Sequence, residues 1–109
     1  HQDTSFLDVL DPQATVTCWV TLDDTHRDAG TLEYAPGSHH WPLTPIPQEF
    51  HGQHDYRAHM RAAAAAAGVT PPEPVMIEVP AGSCVFHAGE TWHGSGPNVT
   101  ADRMRRSIG

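Results

Sequence analysis

A chain of 109 residues with 13 acidic and 6 basic side chains carries a formal charge of −7 when its nine histidines are neutral. That length admits one domain with a modest core. The acidic balance, the absence of lysine and the lack of a bilayer-length apolar run argue against nucleic acid or a membrane as partner.

The chain opens at His1, inside a motif and without a targeting segment, so it is expected to be a piece of a larger domain. Ala14 to Leu22 alternates Thr15, Thr17, Trp19 and Thr21 with Val16, Cys18, Val20 and Leu22. A period of two rich in β-branched residues predicts a strand. Thr31–Ala35 is a second, stopped by Pro36-Gly37. Residues 37–74 form an insert holding five of the nine histidines, with one expected helix. Asp55 is its N-cap, Ala62 to Ala67 supply helix propensity, and Gly68 ends it before Pro71-Pro72. An insert of that length in a β domain is expected to serve as a lid or binding loop. Val75–Val79 and Ser83–His87 follow as strands joined by the turn Pro80-Ala81-Gly82, then Thr91–Ser95 and Met104–Ile108. Short strands with Gly/Pro turns predict an all-β sandwich, jelly roll or barrel. Cys18 and Cys84 each sit in a strand-like stretch, which predicts buried free thiols and a reducing cytosol.

So many histidines invite a metal hypothesis, and position decides it. In His1-Gln2-Asp3 an extended backbone would point His1 and Asp3 to one side. His93 lies far downstream in Trp92-His93-Gly94-Ser95-Gly96-Pro97-Asn98, followed by Arg103-Met104-Arg105-Arg106. Two histidines and one carboxylate on a face of an octahedral ion form the facial triad of non-haem Fe(II) oxygenases. The positions left open admit a chelating cosubstrate and O2. His-x-Asp alone is weak evidence; a later histidine and then an arginine on a following strand make it strong.

These residues resemble the phytanoyl-CoA dioxygenase family of Fe(II)/2-oxoglutarate-dependent oxygenases. The matching stretches are His1-Gln2-Asp3, Cys18-Trp19-Val20-Thr21-Leu22-Asp23-Asp24, Gly30-Thr31-Leu32 and Pro36-Gly37-Ser38-His39. They continue with Ala81-Gly82, Phe86-His87, His93 through Asn98, and Arg105-Arg106. The resemblance implies a double-stranded β-helix (jelly-roll) core with iron at the barrel mouth. It implies His1, Asp3 and His93 as metal ligands. Arg105, helped by Ser95, would bind the distal carboxylate of 2-oxoglutarate, with Trp19 alongside. A guanidinium suits that task because it offers a carboxylate two parallel charge-assisted hydrogen bonds.

Arg105 stands twelve residues after His93, where the family pattern implies eleven. Arg103 and Arg106 therefore remain alternatives, with alternation pointing Arg103 to the side of Arg105. His87 rivals His93 as a ligand but lacks an arginine at the right distance, so it is expected to line the barrel behind the ligands or simply to pack. Trp92 is expected in the core, and Trp41 in packing or along a substrate pocket. In related halogenases a small residue replaces the carboxylate; Asp3 therefore implies hydroxylation or another hydrogen-abstraction outcome. The insert lacks the lysines a CoA phosphate would attract, favouring a free metabolite. The competing reading is a metal-binding cupin-like protein or degenerate homologue without catalysis, which needs no dicarboxylate clamp.

Overall fold

The computed structural model describes residues 1–6, 15–45 and 55–109. Its elements are β1 (Val16–Thr21), β2 (Leu32–Tyr34), α1 (Tyr56–Ala66), β3 (Val75–Met76), β4 (Cys84–Ala88), β5 (His93–Ser95) and β6 (Ser107–Ile108). All six expected strands are present; β4 keeps the expected length one residue further on, and the other five are shorter than their patterned stretches. They form two three-stranded antiparallel sheets, ordered β4-β1-β6 and β3-β2-β5. The Pro80–Gly82 turn carries the chain from one sheet to the other, with the Ser83 amide donating to the Pro80 carbonyl at 3.2 Å. This is a mainly β jelly-roll core.

Register decides which face of each strand looks inward, because residues directly opposite one another share a face. Thr17 opposes His87 and Trp19 opposes Val85 in one sheet, while Tyr34 opposes His93 in the other. Trp19 and Thr21 are buried, whereas Val16, Phe86 and Ile108 are 66%, 65% and 60% exposed. The threonine–tryptophan side of β1 thus faces the interior, and its aliphatic side faces out. Both cysteines are free, as expected, but neither is buried: Cys18 is half-buried and Cys84 exposed, because both lie on that outer face.

Helix α1 begins and ends where its sequence dictates. The Asp55 carboxylate accepts the Ala58 amide at 3.1 Å, satisfying one of the open donors of the first turn. Gly68, at φ 72°, adopts the left-handed conformation that ends the helix. Its amide donates to the Ala65 carbonyl and the Val69 amide to that of Ala64, each at 3.0 Å. Met60 and Ala63 pack on Ala35 and Trp92, with Trp41 against the same cluster. Trp92 is therefore core, and Trp41 packs.

These contacts seat α1 on the outer face of sheet β3-β2-β5. The Tyr56 ring lies over Gly94, where a Cβ would come within 2.6 Å of it. The Tyr56 hydroxyl donates to the buried Glu33 carboxylate, which also takes Arg57 Nη2 at 2.7 Å and Nε at 3.1 Å. Burial, then the bond to Glu33, pushes the Tyr56 phenol up to about 12. Gly94 neighbours His93, so the helix also braces the strand that carries it. Gly94→Ala is expected to cost about 1–3 kcal/mol by overpacking, read as a lower thermal unfolding midpoint.

The near arm of the insert takes another course. Gln2 Oε1 accepts the Thr44 amide at 3.1 Å and its hydroxyl at 3.2 Å, while the Ser5 hydroxyl donates to the Thr44 carbonyl at 2.9 Å. His39, His40 and His59 are exposed, and His51 and His54 lie outside the described residues.

Candidate metal and cosubstrate site

His1 and His93 meet through the main chain. The His93 amide donates to the His1 carbonyl at 3.0 Å, and the His1 nitrogen donates back to the His93 carbonyl at 2.8 Å. Asp3 reaches them differently from the extended geometry expected: it opens a short 3-10 turn, Asp3–Phe6. Gln2 points away between them, fully buried, with its side-chain amide donating to the Glu90 carbonyl at 2.9 Å.

The three side chains converge all the same. Asp3 Oδ1 lies 3.2 Å from His1 Nε2 and 3.3 Å from His93 Nε2, and one donor atom from each residue falls within 4.8 Å of the others. Donors bound side by side to an ion at about 2.1 Å stand roughly 3 Å apart. Two imidazole nitrogens and a carboxylate oxygen therefore fit a divalent transition ion. His93 Nδ1 donates to the Thr91 carbonyl at 2.9 Å, fixing the tautomer that turns the Nε2 lone pair toward the centre.

Asp3 Oδ2 faces the opposite way, toward β1 and β4. It accepts the Thr17 hydroxyl at 2.5 Å and His87 Nε2 at 3.1 Å, and His87 Nδ1 meets the Tyr34 hydroxyl at 2.8 Å. Burial alone would raise the Asp3 pKa. The imidazoles of His1, His87 and His93 and the Thr17 hydroxyl around it outweigh that and hold the carboxylate far below its ordinary range. Burial and the nearby Asp3 charge raise the Tyr34 phenol, keeping it a hydrogen-bond donor. His87 thus stands behind the carboxylate, only 6% exposed. Sequence reasoning missed Thr17 and Tyr34. Thr17 shares the period-two face of Trp19, the one signal that pointed to it.

The arginines separate by their partners. Arg103 Nη1 pairs with Asp28 at 3.0 Å, and Arg106 Nη2 with Asp23 at 2.7 Å, both at the surface. The Arg106 side chain holds Asp23 down to about 2. Arg105 is half-buried, makes no ion pair among the described residues, and has its pKa lowered by burial alone. The residues between Asn98 and Arg103 form a hydrogen-bonded loop, in which Asn98 Oδ1 accepts the Thr100 amide at 2.9 Å and Asn98 Nδ2 donates to the Arg103 carbonyl at 2.7 Å. The Arg103 side chain at the end of that loop pairs with Asp28.

Trp19 is buried on the inner face of β1. Ser95 opposes Leu32 and is exposed. It shares the His93 side of β5 by alternation. Ser95 and Arg105 lie in different segments, and no hydrogen bond joins them among the described residues. A cavity of 920 Å³ beside Glu33, Arg57, Met76 and Ser95 touches neither the triad nor Arg105.

A jelly roll carrying two histidines and one carboxylate in this arrangement is the architecture of the mononuclear non-haem oxygenase class. The profile of the phytanoyl-CoA dioxygenase family matches residues 1–107, and the chain belongs to that family. It is similar to the non-heme alpha ketoglutarate dependent carbocyclase SnoK from nogalamycin biosynthesis: 30% identity, TM-score 0.68, covering 98% of this chain and 39% of that one. It is also similar to EvdO2 from Micromonospora carbonacea var. aurantiaca complexed with 2-oxoglutarate, at 27% identity and TM-score 0.59 over 98% of this chain and 40% of that one. The epimerase SnoN in complex with Fe3+, alpha ketoglutarate and nogalamycin RO matches at 25% identity and TM-score 0.55, over 84% of this chain and 32% of that one. The chain thus spans two fifths or less of these relatives' lengths. No curated protein matches it.

Proposed function

We propose that this chain is the metal- and cosubstrate-binding core of an Fe(II)/2-oxoglutarate-dependent oxygenase acting on a small-molecule metabolite in natural-product biosynthesis. The observation that carries the reading is a converged His1–Asp3–His93 donor set together with a half-buried Arg105 guanidinium that meets no carboxylate among the described residues. A bare metal binder has no use for the second half of that pair. A desolvated cation without a counter-ion is costly, and a dicarboxylate supplies the missing partner.

Each residue has a distinct task. His1, Asp3 and His93 hold the iron. Arg105 grips the far carboxylate of 2-oxoglutarate, Ser95 adds a hydroxyl donor, and buried Trp19 walls the cosubstrate side and excludes water. Bound iron with 2-oxoglutarate and O2 supplies the oxidising power that removes hydrogen from an unactivated C–H bond. Hydroxylation is the outcome we assign. The names of the carbocyclase and epimerase relatives make ring closure and stereochemical inversion the competing outcomes. Near-arm residues 38–45, tied to Gln2 and Ser5 beside the triad, form the lid part of the insert, while α1 braces the opposite face of its sheet. No helix of the described residues is long and apolar enough to cross a membrane. We assign the protein to the cytoplasm.

The full-length protein with Fe(II), 2-oxoglutarate and O2 is expected to convert 2-oxoglutarate to succinate, faster with a natural-product panel than without. Metal binding with no succinate under either condition would favour the non-catalytic reading.

A further inference from the structure

Asp3 has two oxygens, and the fold treats them differently. Oδ1 faces His1 and His93 at 3.2 and 3.3 Å, while Oδ2 accepts Thr17 at 2.5 Å and His87 at 3.1 Å. A carboxylate only accepts, so His87 Nε2 carries the proton. On the neutral ring Nδ1 is then an acceptor, and the Tyr34 hydroxyl, 2.8 Å away, is its donor. This chain, Tyr34 O–H to His87 and His87 N–H to Asp3, crosses from β2 to β4 and ends on the carboxylate. Its middle member is 6% exposed, so no water competes freely for its bonds. Opposition of Thr17 and His87 across β1 and β4 delivers both donors to the same oxygen.

We propose that Tyr34, His87 and Thr17 are positioning residues that occupy Asp3 Oδ2 and restrict this carboxylate to binding metal through Oδ1 alone. The proposal rests on the metal-site reading above. A carboxylate free to swing can present both oxygens and take a second coordination position, one that a chelating cosubstrate or O2 needs. With two donors on Oδ2, that swing breaks two hydrogen bonds in a buried setting, where unmade bonds are costly. The device also fixes the carboxylate plane before metal arrives, which raises affinity by limiting reorganisation.

The test uses the full-length protein loaded with Co(II) in the absence of substrate and O2, so no readout depends on turnover. Co(II) affinity is measured by competition with a chromogenic chelator, carboxylate binding mode by X-ray absorption, and folding by circular dichroism. Wild type is expected to bind through one carboxylate oxygen. His87→Phe is expected to lose roughly 10–100-fold in affinity, the usual cost of an outer-shell partner, and with Thr17→Val to shift toward two-oxygen coordination. His87→Gln keeps an N–H donor and is expected to recover most of the loss; Tyr34→Phe is expected to lose less than His87→Phe. If His87→Phe does not fold, His87→Gln, Tyr34→Phe and Thr17→Val carry the test: wild-type affinity and coordination in both Tyr34→Phe and Thr17→Val overturns the proposal. A folded His87→Phe with wild-type affinity and coordination also overturns it, leaving the metal-site reading intact. Absence of Co(II) binding in the wild type overturns both.

Discussion

Asp3→Ala is expected to abolish product formation and to weaken Fe(II) binding by more than the roughly 10–100-fold that loss of an outer partner costs. The effect is large because this carboxylate is both the anionic donor of the proposed triad and the shared acceptor for His87 and Thr17. Removing it leaves two imidazoles facing one another without a negative charge between them, and strands the buried His87 N–H. Asp3→Asn separates these roles, since it keeps the shape and one acceptor while deleting the charge. It should lose most of the metal affinity with a smaller loss of thermal stability than Asp3→Ala. Chelator competition and thermal denaturation measure the two effects. Wild-type Fe(II) affinity in a folded Asp3→Ala protein would remove the metal site from these residues.

Arg105→Ala is expected to raise the 2-oxoglutarate concentration for half-maximal turnover by roughly 30–1000-fold, the equivalent of about 2–4 kcal/mol for loss of one partner of a desolvated charge pair. Saturating 2-oxoglutarate should restore much of the maximal rate, because the variant still holds iron. Arg105→Lys should recover little, since an ammonium offers no planar fork to a carboxylate. Arg103→Ala and Arg106→Ala are the controls: each breaks an exposed ion pair, with Asp28 or Asp23, of the kind worth little. Their 2-oxoglutarate requirement should stay near wild type. A raised requirement in Arg103→Ala with none in Arg105→Ala would transfer the clamp to the other arginine.

The strand pattern, the helix caps and the order of the motifs are all legible without coordinates, because each rests on local chemistry. Period-two alternation marks β1, Asp55 and Gly68 mark the ends of α1, and Pro80-Ala81-Gly82 marks a turn between strands, which only the strand pairing shows to cross between sheets. The donor identities are local too: only a few side chains bind a transition ion, and His1, Asp3 and His93 are among them. The role of His87 is half legible, since a histidine that fails as a ligand is expected nearby. That its ring bridges Tyr34 and Asp3 is not, because the link joins residues of three segments.

Local patterns along the chain suffice for the elements, the family motifs and the residues able to carry the chemistry. Long-range packing sets how they face one another. Alternation divides β1 into two sides but does not say which looks inward, and burial preference alone would turn Val16, Val20 and Leu22 to the core. Pairing with β4 turned Thr17 and Trp19 inward instead, toward a polar centre. It likewise sorted three arginines that look alike on paper, because a guanidinium's function depends on whether an anion already stands beside it. Asp28 and Asp23 occupy Arg103 and Arg106, whereas Arg105 has no such partner among the described residues. Such pairings are set by contacts distant along the chain, where sequence periodicity carries no information.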